Sequence, residues 1–206
     1  MGFLKAKVKS NPIVIYLASQ SPRRSYLLRQ AGYRCRVIVS SYVEKHEHYA
    51  VPRNLVVKHA RGKLKEAHIP RLARFVVAAD TVVALRGKVY GKPKNLTHAV
   101  RMLSKLSGNI HDVYTGWAIK DTATGEQSVR CVKSRVKIKS MSTPQIRAYF
   151  KKMNPLDKAG SYAVQSRPSV VEYIQGSYSN VMGLPVEDFQ KILKQMLRRK
   201  PYVSKK

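Results

Sequence analysis

Acidic residues are scarce in this sequence: 11 Asp and Glu face 40 Lys and Arg, and the formal net charge is +29. Cysteine is scarce too, and the spacing of Cys35 and Cys131 excludes a disulfide-rich scaffold and favours two reduced thiols. No apolar run approaches the ~20 residues of a membrane-spanning helix, and the basic N-terminus lacks the apolar core of a secretory signal. We therefore expect a cytoplasmic protein with no membrane partner.

A globular core is nevertheless available, because 44 % of the 206 residues are apolar. We expect a basic arm over residues 1–12, one domain over 13–199 and a basic tail over 200–206. The basic residues are spread along the chain, so the charge belongs to the whole surface, and such a surface attracts polyanions, including nucleic acid. The alternative is a surface adaptation with no specific partner.

Apolar runs alternate with helical patterns, which predicts one α/β domain. Strands are predicted near residues 13–18, 34–39, 74–85, 111–120, 128–139 and 170–174. Helices are predicted near residues 22–31, 52–67, 97–106, 142–153 and 185–199, with Thr97 capping the third and residues 176–185 forming a loop.

The stretch from Leu17 to Arg24 connects the first strand to the first helix. Pro22 suits the first turn of a helix, and the serine before it is a suitable cap. Free N–H groups at a helix start attract anions, and the forked guanidinium groups of Arg23 and Arg24 match phosphate oxygens. The spacing alone leaves two interpretations equally open. One is a phosphate-binding turn, and the other is a capped surface helix with two solvated arginines.

Asp80 is the single charge inside the longest apolar run, which follows Arg74 and extends to Leu85, and we place it at the end of a buried strand. A carboxylate in such surroundings is paired, metal-bound or protonated. This favours a functional role over a turn between two strands. A zinc site at His46 and His48 is disfavoured because the spacing is not standard, and for His111 a structural hydrogen bond is favoured over general-base catalysis.

The run Leu17-Ala18-Ser19-Gln20-Ser21-Pro22-Arg23-Arg24 resembles the opening motif of the Maf family of nucleoside triphosphate pyrophosphatases. Later blocks follow in the family's order, so that the resemblance spans about residues 13–197. They are Ala79-Asp80-Thr81-Val82-Val83, Gly91-Lys92-Pro93, Leu106-Ser107-Gly108, His111 to Gly116, Asp157-Lys158-Ala159-Gly160 and Asn180 to Pro185.

The resemblance implies a mixed, elongated sheet flanked by helices with a central cleft, often in a homodimer. It also implies hydrolysis of dTTP, UTP or modified pyrimidine triphosphates to monophosphate and pyrophosphate, with Mg²⁺ or Mn²⁺, as a cleansing of the nucleotide pool. The threonine at position 81, after Asp80, resembles the branch of the family that acts on dTTP and UTP. A glutamine at this position would resemble the branch that acts on methylated GTP.

Carried over residue by residue, the resemblance assigns catalytic, substrate-binding and metal-binding positions. The catalytic residues are Asp80, Glu44, Lys63 and Lys92; the phosphate- and substrate-binding residues are Ser19, Arg23, Arg24, Thr81 and Gln165; and the metal ligands are Glu44 and Asp80. The family's early Asp-Glu pair aligns either with Val43-Glu44 or, one residue later, with Glu44-Lys45, and we take the first. Ser166-Arg167-Pro168 replaces glycines that usually follow Gln165, which alters the base pocket.

A second hypothesis comes from the charge and not from the motifs. In it the chain is a basic nucleic-acid-binding protein on the same fold, with weak or no catalysis. The retained Asp80, Lys63 and Lys92 oppose it, and no aromatic RNA-binding motif is present.

Overall fold

The structure is a computed structural model that describes residues 12–44 and 51–199. Its strands are β1 (Val14–Leu17), β2 (Arg34–Val37), β3 (Phe75–Leu85), β4 (Lys88–Tyr90), β5 (Ile110–Asp121), β6 (Gln127–Ile138) and β7 (Val171–Gln175). Its α-helices are α1 (Pro22–Gln30), α2 (Pro52–Lys65), α3 (Leu96–Leu106), α4 (Thr143–Lys152), α5 (Tyr178–Met182) and α6 (Val186–Arg198). The predicted tail, the predicted arm except its last residue, and His46 and His48 of the disfavoured zinc site lie outside the described residues.

The strands form a single mixed sheet in the order β2-β1-β3-β5-β6-β7, with β4 paired to β3. Strand β1 is parallel to β2 and β3, whereas β4, β5, β6 and β7 pair antiparallel with their neighbours. Helices flank this sheet and a cleft opens into it, so the predicted α/β class and mixed sheet are confirmed.

The prediction that Asp80 ends a strand is wrong. Strand β3 runs for 11 residues, and Asp80 pairs in register with Gly116 near its middle. The reason is that two neighbours support β3 over different lengths: β1 pairs with it only as far as Val77, while β5 pairs with it as far as Ala84. Asp80 therefore lies just beyond the end of β1, where the sheet borders the cleft.

Helix α2 packs on one face of the sheet, with Ala60 and Leu64 buried against Val76 and Ala78. The other face carries the largest core cluster, in which Trp117 stacks edge-on against Phe189 of α6 and is fully buried. Since side chains alternate along a strand, Asp80 faces α2 and its neighbour Thr81 faces the opposite side.

Two local predictions are corrected by side-chain caps. The predicted loop 176–185 contains α5, because the Ser177 hydroxyl accepts from the Asn180 N–H, and Gly183 ends the helix with a φ of 114° that favours glycine. Helix α3 starts at Leu96, one residue before Thr97. The reason is that Asn95 caps it, because its side-chain oxygen accepts from the His98 N–H.

A cleft of about 950 Å³ opens where β1 ends. One side is formed by the β1–α1 turn, β3 and α2, and the other by residues 88–105 and 157–165. Within the ranges that the structure describes, we find no helix of the length and apolarity that a membrane crossing requires.

Candidate active site

Lys63 lies between two carboxylates at the base of the cleft. Its Nζ donates to Asp80 Oδ1 at 2.8 Å and lies 2.5 Å from Glu44 Oε1. The Lys63 and Asp80 residues are only 9 % and 7 % exposed. Two acids thus share one cation, which leaves a negative charge in a cleft that is otherwise basic.

Two features of the backbone bring these groups together. Gly116, opposite Asp80 on β5, has no side chain, and a Cβ there would overlap the backbone carbonyl of Val56, so α2 can approach the sheet closely. The segment before Glu44 is tied to α2, because the Ser40 hydroxyl donates to the Lys63 carbonyl at 2.9 Å. This contact holds the chain that leads to Glu44 against the C-terminal part of α2.

The charge state of Glu44 follows from its neighbours. Burial alone would raise the pKa of this carboxyl, but the charge and hydrogen bond of Lys63, and then the charge of Lys92, outweigh burial and lower it. Glu44 is therefore ionised at neutral pH.

The donor set fits a hard divalent cation. Mg²⁺ is usually held by one or two carboxylates together with water and substrate phosphates, and Glu44 and Asp80 already converge on one positive charge. Among the described residues no group of three or more His, Cys, Asp or Glu could hold a metal. Water and substrate oxygens would therefore have to complete the coordination.

Arg24 is buried, and its guanidinium donates to three neutral oxygens. Nε donates to the Gly183 carbonyl at 2.7 Å, Nη1 to Ser19 Oγ at 2.8 Å and Nη2 to Thr81 Oγ1 at 3.0 Å. Burial lowers the pKa of Arg24 below its ordinary value. The guanidinium thus connects the β1–α1 turn, β3 and the end of α5, and its forked donors are directed at protein groups.

The hydrogen bonds around Arg24 have defined directions. Thr115 Oγ1 donates to the Asn180 carbonyl at 2.9 Å, so in its 2.9 Å contact with Thr81 Oγ1 the donor is Thr81. Thr81 accepts from Arg24 and donates to Thr115, which commits its hydroxyl proton. Ser19 Oγ accepts from Arg24 and from the Ser21 N–H, and among the described residues its own proton has no acceptor. Ser19 lines the cleft, so this proton is available to a ligand there.

Arg23 belongs to a second charged cluster at the mouth of the cleft. Its Nη1 donates to Asp157 Oδ2 at 2.7 Å, and Lys158 Nζ donates to Asp157 Oδ1 at 2.5 Å. Burial alone would raise the pKa of Asp157, but its bonds to Lys158 and Arg23 lower it. The cluster keeps a net positive charge. Asp157 and Lys158 were missed as site residues, although the block Asp157-Lys158-Ala159-Gly160 signalled them.

Lys92 and Gln165 are exposed on the cleft wall. Lys92 is close enough to Glu44 to lower its pKa, and the buried Pro93 follows it. Gln165 lies in a turn on the far side of the cleft. The cleft therefore brings together all of the predicted site residues, and their roles stay predictions.

His111 is buried away from the cleft. Its Nε2 lies 2.8 Å from Tyr162 Oη, and the two rings pack edge to face. Burial lowers its pKa to about 4. This environment supports the structural interpretation favoured from the sequence.

Comparison with known proteins relates this geometry to a family. Residues 14–196 match the family described as Maf-like protein. The chain is 40 % identical over 191 residues to the dTTP/UTP pyrophosphatase of Geotalea uraniireducens (strain Rf4), covering 92 % of this chain and 97 % of that protein. It is 42 % identical over 173 residues to the dTTP/UTP pyrophosphatase of Geobacter sp. (strain M21), covering 84 % and 90 %.

Proposed function

The chain belongs to the Maf family, and we propose that it is a nucleoside triphosphate pyrophosphatase acting on dTTP and UTP or modified pyrimidine triphosphates. It would release a nucleoside monophosphate and pyrophosphate and so remove unsuitable nucleotides from the pool. The observation that carries this proposal is the pair of acids, Glu44 and Asp80, that meet at Lys63 inside a cleft lined by cations. The curated relatives at about 40 % identity support the choice of substrate.

Positively charged and hydroxyl groups would bind the triphosphate. Arg23 and Lys92 stand at the mouth and wall of the cleft, where their charges can offset those of the phosphates. Ser19 would donate its free proton to a phosphate oxygen. Arg24 would act mainly through Ser19, since three of its five N–H groups are already bonded to protein oxygens. Gln165 would contact the base or sugar from the far wall.

The two carboxylates would bind the metal and receive the proton of the attacking water. Glu44 and Asp80 would hold Mg²⁺ or Mn²⁺, which when bound polarises the phosphate oxygens and lowers the pKa of a coordinated water. Lys63 would keep Glu44 ionised and would orient both acids. Water adds to phosphorus, the bond to the α–β bridging oxygen breaks, and a carboxylate accepts the water proton.

A nucleotide panel tests the proposal. Pyrophosphate release would be measured with dTTP, UTP, CTP, ATP and GTP, after chelation and then with Mg²⁺ or Mn²⁺ restored. We expect turnover of dTTP and UTP that chelation removes and metal restores. Turnover of none of the five nucleotides with either metal would overturn the proposal, and preference for a purine would overturn the substrate assignment.

We also propose that the basic surface binds nucleic acid without sequence preference. The observation that favours this is strand β6, along which Arg130, Lys133 and Arg135 are exposed outside the cleft. Their attraction to phosphates is independent of the catalytic acids.

A homodimer is a further part of the proposal. Strand β2 forms one edge of the sheet, and its last residue, Val37, is 51 % exposed. Val39, just beyond the strand, is 56 % exposed, and Leu72 is 88 % exposed. Apolar side chains at a sheet edge favour pairing with a second chain. Light scattering of the wild type and of a Val37→Asp variant tests this, with a shift from dimer to monomer expected, and a monomeric wild type would exclude it.

A further inference from the structure

The cleft wall formed by β4 and α3 holds more positive charge than one nucleotide needs. Residues 81–111 contain no aspartate or glutamate. The cations that this stretch contributes to the cleft lining are Lys88, Lys92, Lys94, Arg101 and Lys105. This part of the cleft lining contains no acid and therefore presents positive charge to a ligand.

Arg101 and Lys105 form a basic row on α3. They are four residues apart, so they lie on one face of the helix, while Leu103 and Leu106 are buried on the other. Both side chains are exposed, and neither takes part in an ion pair among the described residues. Lys105 lies roughly 14 Å along the axis from Leu96, at 1.5 Å per residue. The row thus extends away from the segment that carries Lys92.

The size of the cleft allows a ligand larger than a nucleotide. Its volume of about 950 Å³ is near the upper end of the roughly 300–1,000 Å³ found for small-molecule sites. We propose that the cleft also accepts the 5′-triphosphate end of a single RNA strand, with Arg101 and Lys105 binding the backbone phosphates that follow the first nucleotide. This inference rests on the proposed function, because the same acids and phosphate-binding groups would act on the strand.

The chemistry requires no group beyond those of the nucleotide reaction. An RNA chain that starts from a nucleoside triphosphate carries the same α–β anhydride. The water oxygen forms a bond to the α-phosphorus, the bond from that phosphorus to the bridging oxygen breaks, and pyrophosphate leaves with the bridging oxygen. One water is consumed: one of its protons passes to a carboxylate, the other stays on the new phosphate oxygen, and the strand keeps a 5′-monophosphate.

The experiment compares a 5′-triphosphorylated RNA 10-mer with UTP as substrates, using pyrophosphate release and conversion to the 5′-monophosphate as readouts. An Arg101→Ala/Lys105→Ala variant removes the row. Its matched control, Arg147→Ala/Lys151→Ala, removes two exposed cations at the same spacing on α4, outside the cleft lining. Circular dichroism verifies that both variants are folded.

We expect the wild type to process both substrates. In the α3 variant KM for the RNA should rise about tenfold. The slope of log KM against log salt concentration should decrease by roughly 1.4, because each of the two lost contacts to a single-strand phosphate contributes about 0.7. KM for UTP should change less than about twofold, and the α4 variant should match the wild type on both. Turnover of UTP without turnover of the RNA would overturn the inference alone, and so would equal losses in the α3 and α4 variants. Turnover of neither UTP nor dTTP would overturn the proposed function.

Discussion

Lys63 on α2 donates to Asp80 on β3 at 2.8 Å, and the same ammonium lies 2.5 Å from Glu44. The two acids come from segments 36 residues apart in the chain, and the lysine neutralises only one of their charges. Repulsion between the carboxylates is thereby reduced without removing their affinity for a divalent cation. Substitutions in this group therefore have two different effects. Replacing Asp80 or Glu44 removes one acid, whereas replacing Lys63 removes the cation that orients both acids.

The first prediction concerns Asp80. Asp80→Asn should lower kcat by about 100-fold or more, since losing a group that holds metal or accepts the water proton typically costs that much. The amide keeps the size of the side chain and can still accept from Lys63, so the fold should remain. Stopped pyrophosphate-release assays at saturating UTP measure the effect. A folded Asp80→Asn enzyme with near-normal kcat would remove Asp80 from the mechanism.

The second prediction separates Ser19 from Thr81. Ser19→Ala should raise KM and lower kcat for UTP together by about tenfold, because it removes a hydroxyl that lines the cleft. It should also lower the unfolding free energy by about 1 kcal/mol, because it removes the acceptor of Arg24 Nη1. Thr81→Val should lower the unfolding free energy by about 2 kcal/mol, because it removes both the acceptor of Arg24 Nη2 and the donor to Thr115 Oγ1. Thr81→Ser is the control and should behave as wild type.

Urea denaturation and steady-state kinetics on the three variants measure these effects. If Thr81→Val changed KM as much as Ser19→Ala without destabilising the protein, Thr81 would contact the substrate directly, instead of only holding Arg24 and Thr115 through its hydrogen bonds.

The residue types of the site could be predicted from the sequence, because the motifs contain them whatever the geometry of the fold. Two features of the site could not be predicted in this way. The distribution of Arg24's hydrogen bonds depends on Gly183, which lies 159 residues further along the chain, and no local pattern encodes that distance. The position of Asp80 within β3 depends on β5, which continues to pair with β3 beyond the residue where β1 ends. Pairing length is a tertiary property, so an apolar run alone left open whether the strand ended there.

The third prediction concerns the close approach of α2 to the sheet. Gly116→Ala should lower the unfolding free energy by about 1–3 kcal/mol, because the new Cβ meets the rigid carbonyl of Val56. Displacing α2 would also lengthen the Lys63 to Asp80 contact and lower kcat/KM. Gly91→Ala is the control, since nothing lies within 4 Å of the added Cβ, and it should change stability by less than about 0.5 kcal/mol. Equal stability of both variants in urea would contradict the packing argument.

The fourth prediction concerns acid stability. The folded-state pKa of His111 is about 4, below the ordinary value of about 6.5. Between these pH values the unfolded chain binds more protons, so the free energy of unfolding falls as pH decreases through that window. At one pKa unit per 1.36 kcal/mol, the loss between about pH 7.5 and pH 5 should be roughly 2 kcal/mol.

Glu44 and Asp157, with lowered pKa values, lose their contributions at more acidic pH, which separates them from His111. His111→Gln keeps a polar group toward Tyr162 but cannot titrate. Urea denaturation at both pH values should show the loss in the wild type and little of it in the variant. An equal loss in the two proteins would assign the acid sensitivity to other groups.

The last prediction concerns the surface charge. Phosphate chemistry in one cleft needs a handful of cations, so most of the 40 Lys and Arg lie elsewhere, and Arg130, Lys133 and Arg135 on β6 are exposed examples. We expect sequence-independent binding to RNA and DNA whose affinity falls steeply with salt. Each neutralised phosphate contributes about −0.9 to the slope of log K against log salt for duplex DNA, and a total of several units should result. Fluorescence titration of labelled oligonucleotides over a salt series measures this slope.

Asp80→Asn separates this surface binding from the active site. The variant removes one negative charge from the cleft and none of the exposed cations on β6, so its nucleic-acid affinity should equal that of the wild type or slightly exceed it. At low salt the oligonucleotide should inhibit UTP hydrolysis by covering the basic cleft mouth, and added salt should relieve this inhibition. A flat salt response, or binding that disappears with the catalytic acid, would show that the excess charge does not serve nucleic acid.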